Sequence, residues 1–121
     1  MANTFKTVTF AAEPASAGTA YKMYTCPSST TTVVLGLVLA NIHTTAVTAE
    51  VELVSDTANR GGANNVDTGT SFLVKDVTIP TGSSLEILSG SKVVMEATDE
   101  LKIDCSVADK LSGTLSIMEI S

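Results

Sequence analysis

Aromatic side chains are scarce in this chain of 121 residues, of which they make up 4%, and Trp is absent. The core must therefore consist of aliphatic side chains, and few rings remain for the stacking surfaces that bind sugars or single-stranded nucleic acids. The rings available are those of Phe5, Phe10, Tyr21, Tyr24 and Phe72. A function that depends on aromatic stacking is therefore disfavoured.

Basic residues are few as well, since 7 Lys and Arg stand against 13 Asp and Glu, which gives a net charge of −6 at pH 7. The basic residues form no cluster along the chain. Contact with phosphate groups requires concentrated positive charge, so we predict no nucleic-acid partner. The acidic balance mainly confers solubility.

Long apolar runs are also missing, because the longest, within residues 33–40, falls well short of the roughly 20 residues that span a bilayer. We therefore expect no membrane-embedded segment. Residues 15–17, Ala-Ser-Ala, are similar to a signal-peptidase site, but the preceding apolar segment 8–12 is too short for a signal peptide. The sequence thus predicts a protein made in the cytoplasm.

Cysteine and histidine, which often supply nucleophiles and metal ligands, are rare. Cys26 and Cys105 are too few and too far apart for a disulfide framework, and their apolar surroundings predict two buried thiols. His43, the single histidine, lies in a predicted turn with no nucleophile near it in sequence. We therefore predict that the protein is not an enzyme. A pocket that placed His43 beside a Ser or Cys and a carboxylate would reverse this expectation.

Oxygen ligands for a metal ion occur only in a weak pattern. Residues 65–69, Asn-Val-Asp-Thr-Gly, alternate as in half of a calcium loop but lack the glutamate that closes an EF-hand loop. Glu50 and Glu52 fall on the wet face of one predicted strand, where carboxylates confer solubility. The pair at 61–62, Gly-Gly, lacks the Lys that follows in phosphate-binding loops. We predict no metal site and no cofactor.

The feature that organises the rest of the chain is the apolar run TTTVVLGLVLAN at residues 30–41. β-Branched Thr and Val favour a strand over a helix, and no side chain from Val33 to Leu39 is polar. We therefore predict one central strand that is buried on both faces. Such a strand requires a layer of protein above it and another below.

Apolar and polar residues alternate most clearly at 47–53, as in an antiparallel strand that covers a core with one face. The few residues between this strand and the apolar run favour a hairpin between the two. Short strands then recur at intervals of about 8–12 residues between turn signals such as Pro-Thr-Gly-Ser at 80–83. We predict a single domain over residues 1–121 with an all-β fold, an antiparallel β-sandwich of the jelly-roll or immunoglobulin-like type.

Two segments are candidates for contact with a partner. Residues 1–18 contain an alternating stretch followed by a turn with Pro and Gly, which is typical of an edge strand or an extended arm. Residues 55–70 form a long polar loop, and a loop of this length in a compact domain is usually functional or mobile. The predicted interface residues are Phe5, Phe10, Arg60, Asn64, Asn65 and Asp67.

Three stretches carry a resemblance to a known family: YTCPSSTTTVVLGLVLAN at 24–41, VKDVTIPTGSSL at 74–85 and GTLSIMEI at 113–120. Together they resemble small virion structural proteins of tailed phages, particularly marine and cyanobacterial ones. In that group a Tyr-Thr-x-Pro opening before an apolar strand, an Ile-Pro-x-Gly-Ser turn and a closing Leu-Ser-Ile-Met-Glu strand recur. The similarity spans most of the chain, and its motifs are structural rather than catalytic.

The resemblance implies a non-enzymatic virion protein, either a capsid decoration (cement) subunit or an accessory protein of the neck, tail or fibres. Its partners would be the major capsid protein or tail proteins, and it would be located in the virion after synthesis in the host cytoplasm. Virion parts usually obey closed symmetry, so we expect a homo-oligomer and take a trimer as the starting hypothesis. The alternative from another class is a host-surface or glycan-binding module, which requires Tyr21, Tyr24 or loop residues in an exposed concave patch.

Overall fold

The structure, a computed structural model, describes residues 2–55, 69–88 and 91–121. These residues form nine β-strands and no helix, so none of them provides a helix that could cross a membrane. The strands are β1 (Asn3–Glu13), β2 (Tyr21–Thr25), β3 (Thr31–Asn41), β4 (Val47–Ser55), β5 (Gly69–Ile79), β6 (Ser84–Ile87), β7 (Val93–Met95), β8 (Glu100–Cys105) and β9 (Leu111–Ile120).

The strands form two antiparallel sheets. The larger sheet has the order β1-β9-β3-β6. β7 also pairs with β3, along the same edge as β6 but nearer the start of the strand, at residues 32–34 rather than 37–40. The smaller sheet has the order β2-β8-β4-β5. The core lies between the sheets and takes aliphatic side chains from both, including Val34, Leu37, Val51, Ile103 and Leu115, all 0% exposed. Each contributes roughly 1.5–3 kcal/mol through burial. The predicted all-β antiparallel sandwich is confirmed.

Strand β3 is central, as predicted, because it pairs with β9 along one side and with β6 and β7 along the other. The prediction that both its faces are buried is wrong. Val34, Leu37 and Leu39 face the core, whereas Val38 is 39% exposed on the opposite side. No described layer covers that side of the larger sheet. A bulge between Val34 and Gly36 shifts the inward positions from even to odd numbers, which helps to explain an apolar run without alternation.

The predicted hairpin between β3 and β4 is also wrong, because β3 lies in the larger sheet and β4 in the smaller one. The connection crosses the sandwich, and the buried Asn41 holds it in place. Its Nδ2 donates to the carbonyl oxygens of Thr45 and Ile79 at 3.0 and 2.9 Å, while its Oδ1 accepts from the backbone N–H of His43 at 2.7 Å. These bonds tie the end of β3 to β5 of the opposite sheet.

Two other local predictions are confirmed. In β4, Val47, Ala49 and Val51 are buried while the residues between them are partly exposed. At 80–83 the backbone N–H of Ser83 donates to the carbonyl oxygen of Pro80 at 3.1 Å, and Gly82 has a φ of 72°. Only glycine adopts such a φ without steric cost, so this residue permits the turn from β5 into β6.

Residues 1–18, for which the sequence left an edge strand or an extended arm open, contain β1 at the edge of the larger sheet. β1 pairs with β9 from Asn3 opposite Ile120 to Phe10 opposite Gly113. Phe10 is only 8% exposed, and its ring packs edge-on against Tyr21 with the ring centres 5.4 Å apart. Phe10 therefore belongs to the core, which corrects its prediction as an interface residue.

Candidate functional site

The residues with catalytic potential do not converge. His43 is half-buried in the turn after β3, and its hydrogen bonds use the backbone: its N–H donates to Asn41, and its carbonyl oxygen accepts from Thr81 Oγ1 at 2.8 Å. Within residues 2–55, 69–88 and 91–121, no Ser, Cys or carboxylate is hydrogen-bonded to its ring. The described residues therefore do not show the arrangement of His43 beside a Ser or Cys and a carboxylate that would indicate an enzyme.

Both cysteines are buried and free, so their predicted burial is confirmed. Cys26 Sγ lies 3.2 Å from Thr32 Oγ1, and Cys105 lies opposite Ala49 in the smaller sheet. Among the described residues, no group of three or more His, Cys, Asp or Glu side chains could hold a metal ion. Of the calcium-like fragment 65–69, only Gly69 lies within the described residues.

A hollow of about 210 Å³ lies at the surface of the smaller sheet. Three carboxylates line it: Glu50 pairs with Lys75 at 2.9 Å, Asp104 Oδ1 accepts from the backbone N–H of Gly18 at 3.2 Å, and the exposed Asp76 lies 4.0 Å from Lys75. The hydrogen bond with Glu50 raises the pKa of Lys75. Two of these contacts join separate segments of the chain, Glu50 of β4 to Lys75 of β5 and Asp104 of β8 to Gly18.

A polar network ties the two sheets together near the start of β3. Tyr24 of β2 donates its hydroxyl proton to Glu119 Oε2 at 2.5 Å and lies 2.8 Å from Thr32 Oγ1, while Lys6 of β1 contacts Glu119 Oε1 at 2.8 Å. Burial first, and then the bond to Glu119, raises the pKa of Tyr24 well above its ordinary value. Lys6 first, and then Tyr24, lowers the pKa of Glu119.

This network predicts a loss of stability in acid. Because the folded-state pKa of Glu119 lies below its unfolded value, its contribution is fully present above the unfolded pKa and is lost as the pH falls through the folded pKa. Lys6 is half-exposed, so we expect Glu119→Gln to cost only about 1 kcal/mol at neutral pH. Urea unfolding of the wild type and of Glu119→Gln at several pH values measures the difference in their free energies of unfolding. This difference should become smaller below about pH 4. A constant difference would contradict this role.

The outward side of the smaller sheet is highly charged. Alternation and pairing place the following side chains on this surface, which we call the charged face: Lys22, Glu50, Glu52, Lys75, Asp76, Glu100, Lys102 and Asp104. Several form exposed ion pairs, with Lys22 and Lys102 at 3.5 and 3.7 Å from the carboxylate of Glu100. A surface of this kind is typical of a sheet that faces water.

The outward side of the larger sheet differs sharply: its β1, β9, β3 and β7 positions carry no charge, and Glu86 of β6, opposite Val38, is the one charged residue that its described strands place there. We call this surface the neutral face; its residues are Asn3, Phe5, Thr7, Thr9, Thr31, Val33, Val38, Ala40, Val94, Ser112, Thr114, Ser116, Met118 and Ile120. The charges on these four strands lie elsewhere: Lys6 and Glu119 point inward to each other, and Glu13 lies beyond a bulge, opposite Leu111.

An apolar row crosses the neutral face from strand to strand. Phe5 lies opposite Met118, Met118 opposite Val33, and Val33 opposite Val94. Directly opposed side chains point to the same side of a sheet, so the four form a continuous band. Phe5 is 71% and Val94 58% exposed. This band is the most distinctive exposed feature of the described residues, and we take the neutral face as the candidate functional site.

The sequence identified Phe5 as an interface residue, and the structure places it at the surface of the neutral face. The other predicted interface residues, Arg60, Asn64, Asn65 and Asp67, lie outside the described residues. Met118, Val33 and Val94 were missed. A signal existed, because Met118 and Ile120 are apolar at positions that alternate with the core residues of β9, but only the strand register places them beside Phe5.

The aromatic residues that a glycan-binding patch would need are engaged elsewhere. Tyr21 packs against Phe10, and the Tyr24 hydroxyl belongs to the network with Glu119. Both side chains are only partly exposed. Phe72 is exposed on the smaller sheet but lies under the ammonium group of Lys75, 4.6 Å from it. Tyr21 and Tyr24 thus do not form the exposed concave patch that the glycan-binding alternative requires.

Comparison with known proteins gives a finding at the level of structure and none at the level of sequence. No protein-family model matches the chain, and no curated protein is significantly similar to it in sequence. The fold is similar to that of a chain from Bacillus endospore appendages, described as a novel family of disulfide-linked pili. The two chains are 16% identical with a TM-score of 0.47, over 99% of this chain and 87% of that chain. A likeness at this level does not extend to function.

Proposed function

We propose that this chain is a non-enzymatic structural subunit that works through contacts with other protein chains. The observation that carries the proposal is the contrast between its two outer surfaces. A chain with a net charge of −6 places eight charged side chains on the outward side of the smaller sheet, whereas the described strands place one, Glu86, on the outward side of the larger sheet, where an apolar row is exposed. Depletion of charge combined with exposed apolar side chains is typical of protein interfaces.

We further propose, from the resemblance of three motifs, that the assembly is the virion of a tailed phage. A capsid decoration subunit is the first choice, and an accessory protein of the neck, tail or fibres is the second. The major capsid protein or tail proteins would be its partners. A sandwich whose core is filled by aliphatic side chains from both sheets suits a part that must remain folded in many copies outside the cell.

A binding assay with purified phage particles tests this role. We expect the wild-type chain to cosediment with particles that lack it, and Val94→Glu to weaken binding about tenfold or more, because a charge would enter the apolar row. The matched control is Thr78→Glu, which adds the same charge at an exposed position of β5 on the other sheet. It should change binding by less than about twofold.

Three outcomes would count against the proposal. One is a wild-type chain that ignores the particles, and another is equal loss of binding in Val94→Glu and Thr78→Glu, which would exclude the neutral face. The third is a hydrolytic or transferase activity of the purified chain that disappears on substitution of His43. Electron microscopy of the particles then distinguishes decoration of the capsid from a place in the neck, tail or fibres.

A further inference from the structure

The four outer edges of the two sheets are not equally protected. Open edges invite pairing with other chains, and monomeric proteins blunt them with short strands, bulges or charges. At three edges such devices are present: β6 and β7 have four and three residues, β2 has five and a bulge, and β5 has two bulges beside Lys75 and Asp76. β1, in contrast, has 11 residues and pairs regularly from Asn3 to Phe10.

β1 carries a single charge in its regular part, the half-exposed Lys6, and this charge is paired with Glu119. β1 contains no Pro, and its charged residues are Lys6 and Glu13. Lys6 points inward to Glu119, and Glu13 lies past the bulge that follows Phe10. The outward side chains along the regular part of the strand are Asn3, Phe5, Thr7 and Thr9, which are all exposed and uncharged. The edge is therefore long and regular, its outward side is neutral, and its one charge is the paired Lys6 on the inward side.

The backbone of the same residues faces the free side of β1. Ala2 and Ser121 exchange both hydrogen bonds, at 2.9 and 3.0 Å, so they form a hydrogen-bonded pair of the antiparallel ladder. Hydrogen-bonded and non-hydrogen-bonded pairs alternate along an antiparallel ladder. The backbone groups of even-numbered residues of β1 therefore bond to β9. The N–H and C=O groups of Phe5, Thr7 and Thr9 consequently point away from the sheet. A strand added there would find unpaired backbone groups beside part of the neutral face.

We propose that this edge pairs with β1 of a second copy of the chain, antiparallel and around a two-fold axis near Thr7, so that the larger sheet continues across two copies. This pairing deepens the proposed function, on which it rests, by naming one subunit contact. Two chains of charge −6 repel each other, and the neutral face is the surface where they approach with the least repulsion. With the axis at Thr7, Phe5 lies opposite Thr9 of the partner copy, and both are uncharged.

The pairing covers only one end of the apolar row. Val33 and Val94 lie two and three strands away from the edge, so they stay exposed in the paired form and can contact other virion proteins. The two-fold contact and the contact tested by Val94→Glu can therefore be disrupted independently.

Variants with one added cysteine each test the two-fold contact. The native Cys26 and Cys105 are 1% and 4% exposed and should not crosslink.

Thr7→Cys, which faces its own copy across the axis, is compared with Thr114→Cys, a control on the same face of β9, one strand in from the edge. Phe5→Cys and Thr9→Cys serve as register controls, because each faces the other position of the partner copy and should form few dimers. Under copper-phenanthroline and oxygen, two thiols lose two electrons and two protons to the oxidant and form a disulfide. Cα atoms about 5.5 Å apart in a hydrogen-bonded strand pair are within its reach. We expect dimers on non-reducing gels to be at least about tenfold more abundant for Thr7→Cys than for Thr114→Cys.

Sedimentation provides a second readout without crosslinks. Thr7→Lys places two positive charges opposite each other across the axis and should weaken wild-type self-association about tenfold or more, whereas Thr114→Lys should weaken it less. Circular dichroism confirms that both variants are folded. A monomeric wild-type chain, or crosslinking at Thr7 no higher than at Thr114, overturns the pairing. If such a chain still binds phage particles, the pairing is wrong and the virion role is supported. If Thr7→Cys forms dimers but the chain does not bind particles, the pairing is supported and the virion role is wrong.

Discussion

Leu37→Asp should yield no folded protein. Leu37 is fully buried in the centre of β3, so the variant loses the burial of a leucine side chain, worth about 2–5 kcal/mol. It also places an unpaired carboxylate in the core, which costs several kcal/mol more, on the order of 3–5. The sum is comparable to the roughly 5–15 kcal/mol that separates folded from unfolded domains. Circular dichroism and the yield of soluble protein measure the loss.

The neighbouring residue supplies the control. Val38 is 39% exposed on the neutral face, so Val38→Asp should remain folded and change the free energy of unfolding by only about 1 kcal/mol. Opposite behaviour of adjacent residues would show that only one side of β3 meets the core. A soluble Leu37→Asp chain that assembled like the wild type would contradict the central position of β3 and the sandwich built around it.

Gly113→Val should cost about 1–3 kcal/mol or more through overpacking. A Cβ atom at residue 113 would lie 3.1 Å from Cδ2 of Phe10 and well inside the contact distance of two further ring atoms. The ring cannot easily move, because Phe10 is buried and packs against Tyr21. Gly113 thus provides the space in β9 that the aromatic side chain of β1 fills. Urea unfolding measures the change in the free energy of unfolding.

Gly36→Val is the matched control, because no atom lies within 4 Å of a Cβ built at residue 36 of β3. It should change stability by less than about 1 kcal/mol. In a chain that already carries Phe10→Leu, Gly113→Val should lower the free energy of unfolding by less than it does in the wild type. A double-mutant cycle measures this difference. Equal effects at both glycines, or full additivity with Phe10→Leu, would show that the contact with Phe10 is not the cause.

Local features of this fold could be predicted because their causes are local. The alternation of β4 and the turn at 80–83 follow from residues within a few positions of one another. The partner of β3 could not be predicted, since the crossing to β4 depends on Asn41 reaching the carbonyl oxygen of Ile79, 38 residues away. The apolar run was misinterpreted because a bulge changes its inward face and because Val33 and Val38, apolar like the core residues of the run, lie on the outer side of the sheet.

The candidate site was only partly predictable for a similar reason. An exposed Phe5 could be proposed from an alternating N-terminal stretch, but Phe10, the same residue type five positions on, is buried against Tyr21 and Gly113. The two differ in the face of β1 on which they lie, and that face depends on the register with β9. The apolar row is likewise a property of four strands, and none of its members is distinctive within its own strand.

The inward salt bridge of Lys6 has a consequence for the speed and strength of association. By contacting Glu119 of the neighbouring β9, Lys6 adds an ion pair to the backbone ladder that holds the middle of β1 in the larger sheet. A flexible segment loses about 1–2 kcal/mol per residue in backbone entropy when it becomes a strand. β1 has lost this freedom during folding, so it can serve as a rigid template whose binding requires no further ordering.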